Sequence, residues 1–146
     1  MADYVFNIAK GAVAEKVRDG ANFQALVINA GGMTDNTGKR YDTVSALLGD
    51  VNAAEVTNTN YSRKSITNGN ITLTVDDTND RVDVDVPNQT WTAVASGTAW
   101  TDLVFCEDTG GADTSRVPLT NHDFVVTPDG SDITAQINTA GIFRAS

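Results

Sequence analysis

Hydrophobic and polar residues alternate most regularly between residues 71 and 86. Apolar side chains occupy every second position in 71–75 and again in 82–86, and the turn-forming sequence DTND fills 77–80. A period of two is typical of a strand with one buried face, so the pattern predicts an antiparallel hairpin. Pro87 is expected to end its second strand, because proline has no N–H to donate to a neighbouring strand.

Shorter patterns predict strands on both sides of this hairpin. Phe23 and the apolar run 26–28 predict a buried strand. Four more strands are expected in the second half of the chain, at 90–95, 100–106, 123–127 and 132–137. The sequence PDG at 128–130 predicts a type I turn between the last two, since glycine accepts a positive φ.

Helical signals are brief. Asp42 is a candidate N-cap for a helix at 43–48, and Gly49 suits its C-terminal end. The segment 3–18 fits either a helix or a strand. Residues 31–40 are rich in turn-forming residues and are expected to form a loop.

Composition favours a β fold as well. The chain has nineteen threonines, whose β-branched side chains suit a strand better than a helix. Its 146 residues and 40% hydrophobic content fit one domain with a real core. We therefore expect a single mainly β domain spanning 1–146, an antiparallel β-sandwich or small barrel with one short helix near residues 43–48.

The charge balance narrows the possible partners. The formal net charge is −9, and the ten basic residues are scattered. Duplex nucleic acid and anionic membranes both require clustered lysine and arginine, so we expect neither as a partner. No segment approaches the ~20 apolar residues of a membrane helix, and the N-terminus does not have the pattern of a secretory signal. Synthesis in a cytoplasm is expected.

Five aspartates within ten residues raise the question of a cation site. They are Asp76, Asp77, Asp80, Asp83 and Asp85. An EF-type calcium loop counted from the first would need glycine sixth and glutamate twelfth, and neither is present. A catalytic carboxylate pair would need one desolvated member, whereas the alternation predicts exposure. We interpret them as the solvated face of the hairpin, and a weak cation between Asp83 and Asp85 stays open.

Nucleophilic and metal chemistry have few candidates. Cys106 is the only cysteine and His122 the only histidine. Cys106 lies in an apolar run typical of a core thiol, and His122 is expected in a turn, hydrogen-bonded beside Asp123. Two such residues are too few for a usual zinc site. We expect no enzymatic activity, no cofactor and no metal.

Trp91 and Trp100 offer a further possibility. Two tryptophans in a β domain could form a platform for a carbohydrate or receptor ligand. Aromatic residues in the strands of a small β domain more often belong to the core. The core is the favoured interpretation, and a binding module remains an alternative.

Four stretches of the chain resemble a known group of proteins. They are NYSRKSITNGNITLTVDDTNDRVDVDVPNQTWTAV at 60–94, DLVFCEDTGGADTSRVPLTNHDFVVTPDGSDITAQI at 102–137, VFNIAKGAVAE at 5–15 and GIFRAS at 141–146. Together they resemble small virion structural proteins of tailed bacteriophages, especially those with actinobacterial hosts. The resemblance is weakest at 29–58, and it carries over no functional residue.

The resemblance implies a protein added to a virion. A head decoration (cement) protein is expected, bound to the outer face of the major capsid protein lattice, with that protein and further copies of this chain as partners. Such a protein would be made in the host cytoplasm and end on the capsid surface. A tail, collar or fibre-associated component is the alternative.

The N-terminal segment 1–10 is the candidate contact region. Tyr4, Val5, Phe6 and Ile8 are apolar at the extreme terminus, where a free domain would usually fray. They could form an arm that lies on a neighbouring subunit. They could equally be the first strand of the domain's own sheet, and the sequence leaves both interpretations open.

Overall fold

The computed structural model describes residues 2–146, which form eleven strands and three short α-helices. The strands are β1 (Tyr4–Val5), β2 (Asn22–Asn29), β3 (Ala54–Glu55), β4 (Lys64–Ile66), β5 (Thr72–Asp76), β6 (Arg81–Asp85), β7 (Gln89–Trp91), β8 (Trp100–Asp108), β9 (Pro118–Val126), β10 (Ile133–Ala135) and β11 (Phe143–Ala145). The helices are α1 (Val13–Arg18), α2 (Asp35–Gly38) and α3 (Val44–Leu48). Single 3-10 turns lie at Asn7–Ala9 and Asn68–Asn70.

The strands form three antiparallel sheets. The central sheet has the order β1-β9-β8-β2-β3, and β4 also pairs with β2. The hairpin sheet has the order β11-β6-β5, and a third sheet joins β10 to β7. β2 and β8 are buried along most of their length, which explains the unbroken apolar runs 25–28 and 103–106 within them.

The outer edge of β2 is completed by two separate strands. β3 pairs with its C-terminal end and β4 with its N-terminal end, while residues 57–63 leave the sheet between them. At this gap Val56 donates its N–H to the Val27 carbonyl at 3.2 Å. The Val27 N–H has no main-chain acceptor opposite it and donates to the Tyr61 hydroxyl at 3.0 Å. A side chain therefore replaces one rung of the sheet.

Different layers cover the two faces of the central sheet. The Tyr4 ring on β1 lies against Gly38 of α2, where an added Cβ would come within 2.1 Å of the Tyr4 hydroxyl. On the other side Trp100 of β8 meets Trp91 of the third sheet, with ring centroids 5.2 Å apart. The molecule is a layered antiparallel β structure, and residues 2–146 form no closed barrel.

The main sequence predictions of the fold are confirmed. The hairpin is β5–β6, with Val75 paired to Val82 and Leu73 to Val84. Helix α3 lies at the predicted position. Its N-cap, however, is Thr43, whose hydroxyl accepts from the Ala46 N–H at 3.1 Å, so the assignment of the cap to Asp42 was wrong. Thr43 has the extended backbone that a cap requires.

Other local predictions need correction. One helix was expected, and the structure has two more. Helix α1 lies in the segment 3–18, which fitted either a helix or a strand, and α2 lies in 31–40, which was expected to be a loop. The predicted strands at 90–95 and 132–137 are shorter, at Gln89–Trp91 and Ile133–Ala135. His122 lies within β9, not in a turn, because β9 begins at Pro118 and not near residue 123.

Candidate functional site

The hairpin sheet is our candidate functional surface, because Val84 is the one fully buried residue in its three strands. Its three strands align residues in rows, and Val75, Val82 and Ala145 form one of them. The neighbouring row on the same face, Leu73, Val84 and Phe143, packs on the core. Val75 is 53% exposed, so the apolar face of the sheet continues past the core into solvent.

The opposite face of this sheet carries the acidic cluster. The Asp83 carboxylate accepts from the Arg144 Nε at 2.6 Å, and this hydrogen bond holds the pKa of Asp83 below its usual range. Arg81 lies 3.1 Å from Asp76 and 3.6 Å from Asp83. The two arginines therefore neutralise this face locally.

The carboxylates of this cluster that lie on the strands are engaged by donors of the protein itself. Asp76 accepts from the Asn79 side chain at 2.8 Å, which lowers its pKa. Asp85 accepts from the Val86 N–H at 2.8 Å and does not share donors with Asp83. Among residues 2–146, no three His, Cys, Asp or Glu side chains lie close enough to hold a metal ion. Asp76, Asp83 and Asp85 lie on the polar face of the hairpin, as predicted, but they are half-buried and so less exposed than expected. Asp77 and Asp80 lie in the turn between the two strands.

The N-terminal segment is the first strand of the domain's own sheet. β1 pairs with β9, Tyr4 opposite Asn121 and Val5 opposite Thr120. Tyr4 and Phe6 are buried in the core, so neither can reach a neighbouring subunit while this strand is in place. Of the predicted contact residues, Val5 is half-buried and Ile8 is exposed. Contact of these two with a partner stays a prediction.

His122 anchors this N-terminal strand. Its Nδ1 lies 3.4 Å from the Asp3 carboxylate, whose other oxygen accepts from the Asp123 N–H at 2.6 Å. Its Nε2 lies 3.0 Å from the Thr120 hydroxyl. Burial lowers the pKa of the imidazole, although the nearby Asp3 charge opposes this shift. The predicted local bond to the Asp123 side chain is replaced by this longer-range contact.

A groove of about 370 Å³ opens beside the His122 and Asp3 side chains. Leu103 and Phe124 of the central sheet line one wall, and residues 135–142 line the other. Both imidazole nitrogens already face protein oxygens, those of Asp3 and Thr120. The groove thus lies between the N-terminal strand, β9 and the segment that precedes β11.

Cys106 is remote from His122 and buried. It lies three residues along β8 from Leu103, the partner of His122, a separation of roughly 10 Å. Its thiol donates to the Gln24 carbonyl at 3.5 Å. Burial raises the pKa of this thiol to about 12, so it is a core side chain, as the apolar run predicted.

Trp91 and Trp100 are core residues. Both are almost completely buried and pack against Tyr61 and Phe124. The Trp91 indole donates to the Ser62 carbonyl at 2.7 Å and the Trp100 indole to the Asn58 side chain at 3.0 Å. The interpretation of both tryptophans as core residues is confirmed, and neither ring is exposed to act as a platform for a ligand.

An ionic network that sequence reasoning missed is centred on Arg63. Its guanidinium donates to Glu55 at 2.6 and 2.8 Å, to Asp113 at 2.6 and 2.8 Å and to Gln24 at 3.2 Å. All five N–H donors of the arginine are thus used. These carboxylates raise the pKa of Arg63, and its hydrogen bonds lower that of Asp113. The network fixes the interrupted sheet edge to the loop before β9 and offers no donor to a ligand.

The free edge of the hairpin sheet was also not singled out from the sequence. A signal was present, since residues 72–76 contain neither proline nor lysine, the residues that commonly protect an edge strand.

Comparison of the chain with protein-family models, curated protein sequences and solved structures gives no match. No helix within residues 2–146 is long and apolar enough to cross a membrane.

Proposed function

We propose that this chain is a structural protein of a tailed-phage particle and acts as a decoration protein on the outer face of the major capsid protein lattice. The resemblance of residues 60–94 and 102–137 to small virion proteins supports the lineage. The observation that carries a binding role is the hairpin sheet, which presents an exposed apolar row and an outer strand edge. Cys106 and the two tryptophans, by contrast, are used inside the core.

A rigid β domain suits attachment to a shell. An outer strand can add to a neighbouring sheet through directional main-chain hydrogen bonds. Many copies on a symmetric lattice bind with avidity even when each contact is modest. The formal net charge of −9 favours docking on a basic patch of the capsid subunit.

The composition of purified particles tests the proposal. Heads and tails are separated, and the chain is quantified in each by mass spectrometry against the major capsid protein and a tail protein. We expect it with heads, at a fixed ratio to the major capsid protein. A few copies with the tails would instead establish the tail or collar alternative. Absence from both fractions, or turnover of a substrate by the pure protein, would refute a structural role.

A further inference from the structure

The outer edge of β5 has main-chain groups with no partner among residues 2–146. On the middle strand of the hairpin sheet, the Val84 carbonyl accepts from the Ile142 N–H at 2.8 Å, so Val84 directs its backbone toward β11. Successive residues of a strand direct their N–H and C=O to opposite sides. Asp83 therefore directs its own toward β5, where it is paired with Thr74. It follows that Leu73 and Val75 direct theirs outward, away from the sheet.

This edge lacks the devices that usually prevent pairing with another chain. Proline, lysine, a bulge or a covering segment commonly protects an edge strand. Residues 72–76 read TLTVD and pair with β6 without a register shift. Their one charge, Asp76, already lies 3.1 Å from Arg81. The edge is regular, its one charge is paired with Arg81, and no other strand within residues 2–146 pairs with it.

We infer that the β5 edge binds β5 of a second copy of this chain, antiparallel, about a two-fold axis at Thr74. In this register Leu73 of each copy lies opposite Val75 of the other. Both residues direct their main-chain groups outward, so the two pairs exchange four N–H···O=C bonds. Thr74 then lies opposite its own counterpart, and Thr72 lies opposite Asp76 of the second copy.

The side chains match in the same register. Leu73 and Val75 lie on the apolar face of the hairpin sheet, so pairing the copies joins their two apolar rows. No carboxylate lies opposite a carboxylate, because Asp76 faces a threonine. A second copy provides both the matching apolar residues and the absence of facing carboxylates by symmetry. A strand of unrelated sequence would need each of these features independently. This self-complementarity makes a second copy the favoured occupant.

Two features set the strength of the association. A stable interface buries about 1,600 Å² in total, and five residues of strand bury less, so we expect a weak dimer in solution. The net charge of −9 on each copy opposes the approach of two copies. Added salt screens this repulsion, and the dimer fraction should therefore rise with ionic strength.

Disulfide trapping tests the register directly. Thr74 and its counterpart would form a non-hydrogen-bonded antiparallel pair, with Cα atoms about 4.5 Å apart, within the range of a disulfide. Thr74→Cys should therefore give a covalent dimer on mild oxidation. Thr72→Cys is the matched control, since both threonines are exposed on the same face of β5. Its counterpart would lie four residues further along the partner strand, roughly 13 Å away.

We expect the dimer yield of Thr74→Cys to exceed that of Thr72→Cys at least about tenfold, on non-reducing gels and by intact mass. Adding Val75→Pro to Thr74→Cys removes one outward N–H without touching the β5–β6 ladder, and should lower the yield several-fold. Equal yields from the two cysteines, or a monomeric Thr74→Cys protein, would overturn the inference. Sedimentation of the native protein at increasing concentration provides a second test, and a strict monomer at millimolar concentration and high salt would also refute it. Neither result depends on where the chain acts, so failure here leaves the proposed virion role to its own test.

Discussion

The Tyr61 hydroxyl is the most informative single group to remove. It accepts from the Val27 N–H at 3.0 Å and donates to the Glu55 carboxylate at 2.9 Å. Tyr61→Phe deletes this one oxygen and keeps the ring that packs on the two tryptophans. The substitution therefore isolates the side-chain rung that completes the interrupted edge of β2.

The expected loss follows from what each partner retains. Val27 is fully buried, so its N–H would lose its only acceptor where water does not reach. An unpaired buried donor costs about 1–3 kcal/mol. Glu55 keeps both of its hydrogen bonds to Arg63, so removing the Tyr61 donor from its carboxylate should cost little stability. We expect the free energy of unfolding to fall by about 2 kcal/mol, which lowers Tm by about 4–8 °C in a domain of this size.

Urea unfolding followed by tryptophan fluorescence measures the loss. Tyr41→Phe is the matched control, because it also removes a hydroxyl bonded to a carboxylate, that of Asp50. This second bond lies near the surface and serves no main-chain group, so its removal should cost at most about 1 kcal/mol. Amide exchange of Val27 provides a direct readout and should become faster only in Tyr61→Phe.

Two results would refute this reasoning. The first is a loss below about 0.5 kcal/mol in Tyr61→Phe, which would mean that water or another group satisfies the Val27 N–H. The second is an equal loss in both tyrosine variants, which would show that the sheet gap has no special role.

Three further predictions test other parts of the structure. Gly141, at φ +75°, lies so close to β6 that Gly141→Ala would place a Cβ 2.1 Å from the Val84 carbonyl oxygen. The control Gly110→Ala has a similar φ of +73° and open space around it, so it should lose only the backbone cost of about 1 kcal/mol. Urea unfolding should show the larger loss of stability in Gly141→Ala, and equal losses would refute the close approach. Burial lowers the pKa of His122 below its ordinary value of 6.5, so the unfolded chain binds the proton first, and stability is complete above that pH and falls below it. Wild type should lose more stability than His122→Gln between about pH 7 and about pH 5, and parallel profiles would contradict the shift. The Cys106 thiol, whose pKa burial raises to about 12, should resist a thiol reagent at about pH 8 until urea unfolds the chain, and prompt labelling of the native protein would show that it is accessible.

The parts of the fold that depend on local pattern could be predicted from the sequence. Alternating residues at 71–75 and 82–86 specify the hairpin, because a shift of one position would expose its whole apolar face. The apolar run 26–28 marks a strand covered on both sides. Burial of Trp100 also follows from the ordinary behaviour of aromatic residues in a small β domain.

Features that depend on distant partners could not be predicted. Tyr61 completes a sheet rung 34 residues away, and Arg63 reaches Asp113 across 50 residues. The apolar N-terminal segment has the same pattern whether it pairs with its own β9 or lies on a neighbour, so only the structure distinguishes the two. Whether β5 lies at the edge of its sheet likewise depends on which strands pair with it. The alternation of its residues does not show whether it has a neighbouring strand on one side or on both.

Binding of the purified chain to phage shells that lack it tests the central claim most directly. Shells are titrated with the native protein, sedimented and analysed for bound chain per major capsid subunit. The account predicts saturation at a fixed ratio, with release as bound copies are diluted. No binding to shells at any concentration, or binding confined to detached tails, would contradict the claim that this chain decorates the capsid.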